Sequence, residues 1–199
     1  MLLIVVLFSN FPLLLLENPF NAVQYFSFND GLDNLVQGVK GNAYHMSGSQ
    51  RLLLVENNRT TCIYNPSLCS NGYSISVWLN VIKSNIEQYY ISNGGHTSSS
   101  YGIAVVAVVW PMGNDIIAYI DGVEIPPSDK VYDMKTYSTV STSYNNYYIG
   151  GMNTNLLPQY LGKGDIDELM IWDSQLTKET VKEIFLEGEN NIEIFITFT

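Results

Sequence analysis

The chain has 199 residues, 46% of them apolar, and a net charge of −10. That length suits one core-bearing domain with tails. The acidic balance removes the basic footprint that a nucleic-acid binder needs and offers nothing to an anionic membrane surface.

The opening run, MLLIVVLFSNFPLLLL, has the length of a signal-peptide core. It lacks a basic flank and an A-x-A site, and Asn10 and Pro12 interrupt it. It is short for a membrane span. Residues 1–19 are therefore read as a signal peptide or a fragment edge.

Beyond it, short apolar runs alternate with turn signals every eight to twelve residues, the spacing of an all-β sandwich. Strands are predicted at 23–28, 43–46, 51–55, 73–81, 88–92, 102–110, 116–120, 146–150 and 166–172. Between the third and fourth lies Asn58-Arg59-Thr60, a glycosylation sequon. Cys62 and Cys69 follow, with six residues between them. They are two free thiols or a local disulfide. The low charge (14% of residues) and the Tyr, Asn, Ser and Gly content look extracellular, which favours the disulfide. Two cysteines and two histidines leave little for a Cys/His zinc site.

The run YSISVWLNV alternates: Ile75, Val77, Leu79 and Val81 on one face, Ser74, Ser76, Trp78 and Asn80 on the other. This predicts a half-buried strand with a polar, Trp-bearing second face. GIAVVAVVW is apolar on both faces and reads as a central strand. Asp121-Gly122, between two apolar runs, supplies the positive φ pair of a type I′ hairpin turn. One helix is expected after Leu176. Thr177 caps it, Leu176 and Val181 form a staple, and Val181, Ile184 and Phe185 make its apolar stripe. Gly188 is expected to end it in a left-handed turn. Residues 189–199 form a tail.

Five segments, GVKGNAYHMSG, CSNGYSISVWLNV, IAYIDGVEI, YYIGG and GDIDELMIWDSQLTKETVKEIF, occur in one order across residues 20–188. Together they resemble the laminin G-like, pentraxin-like branch of the concanavalin A-like lectin/glucanase superfamily. The resemblance implies an all-β, two-sheet antiparallel jelly roll with one short C-terminal helix.

Fold does not settle function. Glucanases sharing this fold carry Glu-x-Asp-x-Glu on one strand. The matching run here is Asp165-Ile166-Asp167-Glu168-Leu169, which lacks both Glu. Strand alternation sends Asp167 and Glu168 to opposite faces, whereas a retaining glycosidase needs two carboxyls about 5–5.5 Å apart. Short acidic side chains also bond backbone amides where loops enter strands. The acids are thus expected to be architectural and the chain not to be an enzyme. His45 and His96 lack the neighbourhood of a nucleophile elbow or cysteine protease.

Pentraxins hold calcium in the loop that corresponds to residues 150–164, which has no acid here. A single rim calcium of the laminin G kind stays open, with Asp33, Asp115 and Asp121 as weak candidates. Sugar recognition calls for aromatic platforms beside amides and hydroxyls. Trp78, Trp110, Tyr89, Tyr90, Tyr101, Tyr147 and Tyr148 could supply the platforms, or simply pack a core. Ligand contact is assigned to Asn93, His96, Tyr101, Asn153 and Asn155 on two rim loops. The expectation is an extracellular or secreted recognition and adhesion module, as a lone protein or part of a larger cell-surface one. It would bind a glycan or an extracellular protein, with no nucleic-acid partner and no membrane insertion of the domain. A glucanase-type hydrolase and a ligand-free spacer are the alternatives.

Overall fold

The computed structural model describes residues 2–4, 19–29, 31–56, 69–82, 88–92, 117, 119–125, 146–151 and 160–190. Eleven strands and one α-helix are defined among them. The larger sheet runs β1 (Leu2–Ile4), β6 (Ser74–Val81), β11 (Lys163–Trp172), β4 (Asn42–Ser47), β3 (Leu35–Gln37), with β2 (Gln24–Phe26) also on β11. The second sheet is β5 (Leu52–Glu56), β10 (Asn146–Ile149) and β7 (Ile91–Ser92). A separate hairpin joins β8 (Tyr119–Ile120) to β9 (Val123–Glu124). All ladders between named strands are antiparallel. The chain is thus an all-β sandwich with one α-helix among the described residues, α1 (Lys178–Asn190).

Most predicted strands occur with shifted ends. Three were not predicted as strands. β1 and β3 are three residues each and β9 is two, too short to show a period of their own. β1 lies within the stretch read as a leader and pairs with β6 through Leu2↔Leu79 and Ile4↔Val77. The predicted strand at 102–110 lies outside the described residues.

Local signals explain the rest. Asp121 and Gly122 have φ of 50° and 71°, the left-handed pair of a type I′ turn. The Thr177 hydroxyl accepts from the Thr180 amide at 3.2 Å, and Val181 N–H donates to the Thr177 carbonyl at 3.0 Å, so α1 is capped as expected. Leu176, Val181 and Ile184 are buried in the core.

One core cluster unites the two sheets. Ile75, Val77 and Leu79 of β6 and Ile166 and Leu169 of β11 share it with Tyr147, Ile149 and Ile91 of the smaller sheet. The prediction of a half-buried β6 is corrected. Ser74 and Ser76 are 0% exposed and Trp78 1%. Their face is covered by the 173–176 connection and by α1. Ser74 Oγ donates to the Ser174 carbonyl at 3.1 Å and accepts from Leu176 N–H at 3.0 Å. The Trp78 ring stacks on Phe185 of α1, centroids 5.8 Å apart.

Gly188 is also corrected. It does not end the helix, which runs on to Asn190. Any Cβ there would collide with the Trp78 indole. The glycine lets the last turns of α1 lie directly on that ring.

Candidate functional site: two carboxylate clusters on one strand

β11 is the hub of the larger sheet, and its acids acquire different surroundings because its neighbours change. On one side it pairs with β6 along its length. On the other, Lys163–Ile166 pair with β4 and Leu169–Ile171 pair with β2. Asp167 and Glu168 fall at this change of partner, and the register against β6 shifts between Asp167 and Met170. The strand bulges. Glu168 takes φ of 48°, left-handed and uncommon for a residue with a Cβ.

The expectation that Asp167 and Glu168 point to opposite faces is therefore corrected, because a bulge breaks the two-residue period. Both are buried, at 0% and 5% exposure. Asp167 replaces the missing ladder. Its Oδ2 accepts from the amides of Val39 and Lys40 at 2.8 and 3.2 Å, and its Oδ1 from the Glu168 amide at 2.8 Å. Those first two donors lie in the β3–β4 turn, where Gly38 N–H donates to the Gly41 carbonyl at 2.9 Å. A Cβ at Gly38 would strike the Asp167 carboxylate, so the turn can close on the acid only with glycine there. Glu168 is held by the Tyr25 hydroxyl, 2.8 and 2.6 Å from its two oxygens.

Burial dominates the electrostatics of this pair. It pushes the Asp167 carboxyl up to about 6, against the pull of the Lys40, Val39 and Glu168 amides. It pushes Glu168 up to about 7; Tyr25 and Lys40 oppose this, while Asp167 and Glu187 add to it. The Tyr25 phenol is raised in turn by its own burial and by Glu168. Beside Glu168 lies a cavity of about 20 Å³, lined by residues that include Lys40, Trp78 and Glu187. A space of that size holds about one water. Asp167 and Glu168 sit side by side with their oxygens committed to Val39, Lys40 and Tyr25. They do not flank a space in which a glycosidic bond would fit.

The second cluster is open to solvent. Asp165 lies in register with His45 of β4 and Asn80 of β6. Its Oδ1 is 2.7 Å from His45 Nδ1, and its Oδ2 accepts from Asn80 Nδ2 at 2.8 Å. The side chains of His45 and Asp165 are 39% and 19% exposed. Sequence reasoning treated His45 as an ordinary histidine. The signal it passed over was a polar residue alternating with buried Tyr44 and Met46 on a strand.

Of the ligand contacts expected from sequence, Asn93, His96, Tyr101, Asn153 and Asn155 lie outside the described residues, as do Asn58, Cys62 and Asp115. Cys69 is 4% exposed and is not a free thiol. Asp33 and Asp121 are exposed, and no group of three or more His, Cys, Asp or Glu that could hold a metal occurs among the described residues. Trp78, Tyr89, Tyr90 and Tyr147 are at most 8% exposed and pack the core, so they are not sugar platforms. Tyr148 is half-buried beneath Arg51, whose guanidinium carbon is 4.2 Å from the ring centroid. No helix among the described residues is long and apolar enough to cross a membrane.

By sequence, no known family matches the chain and no curated protein is similar to it. Solved structures do resemble it. One is a Trypanosoma rangeli sialidase in complex with 2,3-difluorosialic acid as a covalent intermediate. It has 9% identity and a TM-score of 0.50, with 93% of this chain and 36% of that one covered. Another is a mutant of that sialidase displaying trans-sialidase activity, 10% identical, with 79% of this chain and 29% of that one covered at 0.49. A third is domain 4 of AbnA, a GH43 extracellular arabinanase from Geobacillus stearothermophilus, in complex with arabinotriose. It is 18% identical, with 83% and 89% covered at 0.44. The chain spans about a third of the sialidase chains it matches. At these identities the likeness concerns the fold. The expectation that the chain is not an enzyme is corrected: 93% of the chain shares its fold with part of a sialidase, so that assignment does not stand.

Proposed function

We propose that the chain is a carbohydrate-recognising β-sandwich, a laminin G-like jelly roll that acts on or beside glycans outside the cell. The observation that carries this is the overlap of 93% of the chain with a sialidase bound to a sialic acid derivative, at a TM-score of 0.50. The open polar row on β4, β11 and β6 supports it, because hydroxyl-rich ligands are recognised by side chains already held in place. A Cys62–Cys69 disulfide and a glycan on Asn58 belong to the same reading. The buried Cys69, which is not free, is in keeping with the first.

The test is an array of neutral and acidic glycans probed with the purified chain. Released sialic acid and arabinose are assayed in parallel on sialyllactose and arabinan. Retention on at least one glycan class, or release of either sugar, is the expected result. An array and both assays blank would overturn the reading.

A further inference from the structure

Most of the sheet face that carries Trp78 and Asp167 is roofed by α1 and the 38–41 turn. The next row along is not. There Asp165 grips His45 on one side and Asn80 on the other, spanning three adjacent strands. With strands about 4.8 Å apart, the row is a ledge on the order of 10 Å wide.

We infer that this ledge, His45–Asp165–Asn80 with Lys163 and Ile82 at its border, is the subsite that takes a neutral saccharide. The inference rests on the carbohydrate reading above and names where and what it binds.

Three features argue for it. First, the row is ordered before any ligand arrives. Asp165 accepts from both neighbours, so it fixes the His45 ring and the Asn80 amide before a ligand arrives. With Nδ1–H donated to Asp165, the neutral His45 ring leaves its Nε2 as an acceptor. Asn80 donates through Nδ2 and keeps its carbonyl oxygen as a second acceptor. These suit sugar hydroxyls, which can donate to both. Second, donors and apolar surface adjoin the row. Lys163, two residues before Asp165, is exposed, and Ser47 lies opposite it in register. Ile82, two residues beyond Asn80, is 51% exposed, available to the C–H face of a pyranose or furanose ring. Third, charge chooses the class. The chain carries −10, and the carboxylate in the row is itself an anion. A neutral sugar meets no repulsion there, whereas a sialic or uronic acid faces the net negative charge of the chain, which Lys163 at the border offsets only in part.

The test uses the whole chain in titrations monitored by heat and by NMR shifts. The probes are arabinotriose and a β-glucan hexaose as neutral ligands, with sialyllactose as the acidic one. The wild type is expected to bind a neutral probe weakly, with Kd on the order of 1 mM. His45→Ala and Asn80→Ala should each weaken it ~10-fold or abolish it, since each removes a hydrogen-bonding group from the ligand. Leu53→Ser, on the other sheet, should leave it unchanged, and thermal melts should show that all variants fold. Neutral binding that survives both ledge variants would overturn the ledge and spare the broader function. Binding of sialyllactose but not the neutral probes would overturn the chemical class. A blank for all three probes would overturn the ledge inference outright, and an array blank as well would remove the function beneath it.

Discussion

Asp165 and Asp167 stand two residues apart on one strand and face the same side of one sheet, yet the fold gives them opposite tasks. Asp167 is wholly buried and bound by three backbone amides. Asp165 is partly exposed and bound by two side chains. The first holds a turn to a strand; the second holds neighbouring side chains in place. The difference arises from what lies above each. Helix α1, brought close by Gly188, covers Trp78 and the 38–41 turn covers Asp167, whereas His45, Asp165 and Asn80 in the next row keep exposed surface. An acid's role is therefore set by the roof over it more than by its place in a motif.

The sharpest way to break this comparison is to remove the roof's anchor. Trp78→Ala should cost ~3–5 kcal/mol in denaturant unfolding, because a fully buried ring that bears on α1 is lost. A cost below ~1 kcal/mol would mean that the helix does not depend on it.

Next in size is a pH effect confined to the buried pair. Asp167 and Glu168 titrate near 6 and 7 in the native chain, against 3.8 and 4.5 unfolded. Between these values the native state holds protons that the unfolded state has released, so stability falls as pH rises through the window. For Glu168 the full loss is on the order of 3 kcal/mol. Glu168→Gln should flatten that part of the slope, matching the wild type at about pH 4 and exceeding it at about pH 8. Equal slopes in the two proteins would contradict the burial argument.

Asp167→Ala should destabilise by ~2 kcal/mol, since the buried Val39 amide and the part-buried Lys40 amide lose their acceptor. Smallest is Asp165→Ala. Its partners remain in reach of water, so unfolding should shift by less than ~1 kcal/mol while saccharide binding is lost. If Asp165→Ala costs as much stability as Asp167→Ala, the contrast between the clusters fails.

Much of this was legible from the chain. The acids of β11 were read as bonding backbone amides; Asp167 does so, whereas Asp165 bonds two side chains instead. The bulge at Glu168 was not legible. It exists because β4 and β2 meet β11 from the same side, and those partners lie more than 100 residues away in sequence. Nor was the His45–Asp165 pair, whose members are 120 residues apart. Trp78 was misread for a related reason: alternation places a side chain on a face but does not say what covers that face.

By itself, then, the sequence determined the features that depend on neighbours along the chain. These are the all-β pattern, the Asp121-Gly122 turn and the Thr177 cap, since φ preference, strand period and capping act over a few residues. Tertiary structure alone decided which strands flank β11, which face α1 covers, and so which carboxylate is sealed and which stays open to solvent. Those outcomes depend on contacts between distant segments, and no local preference encodes them.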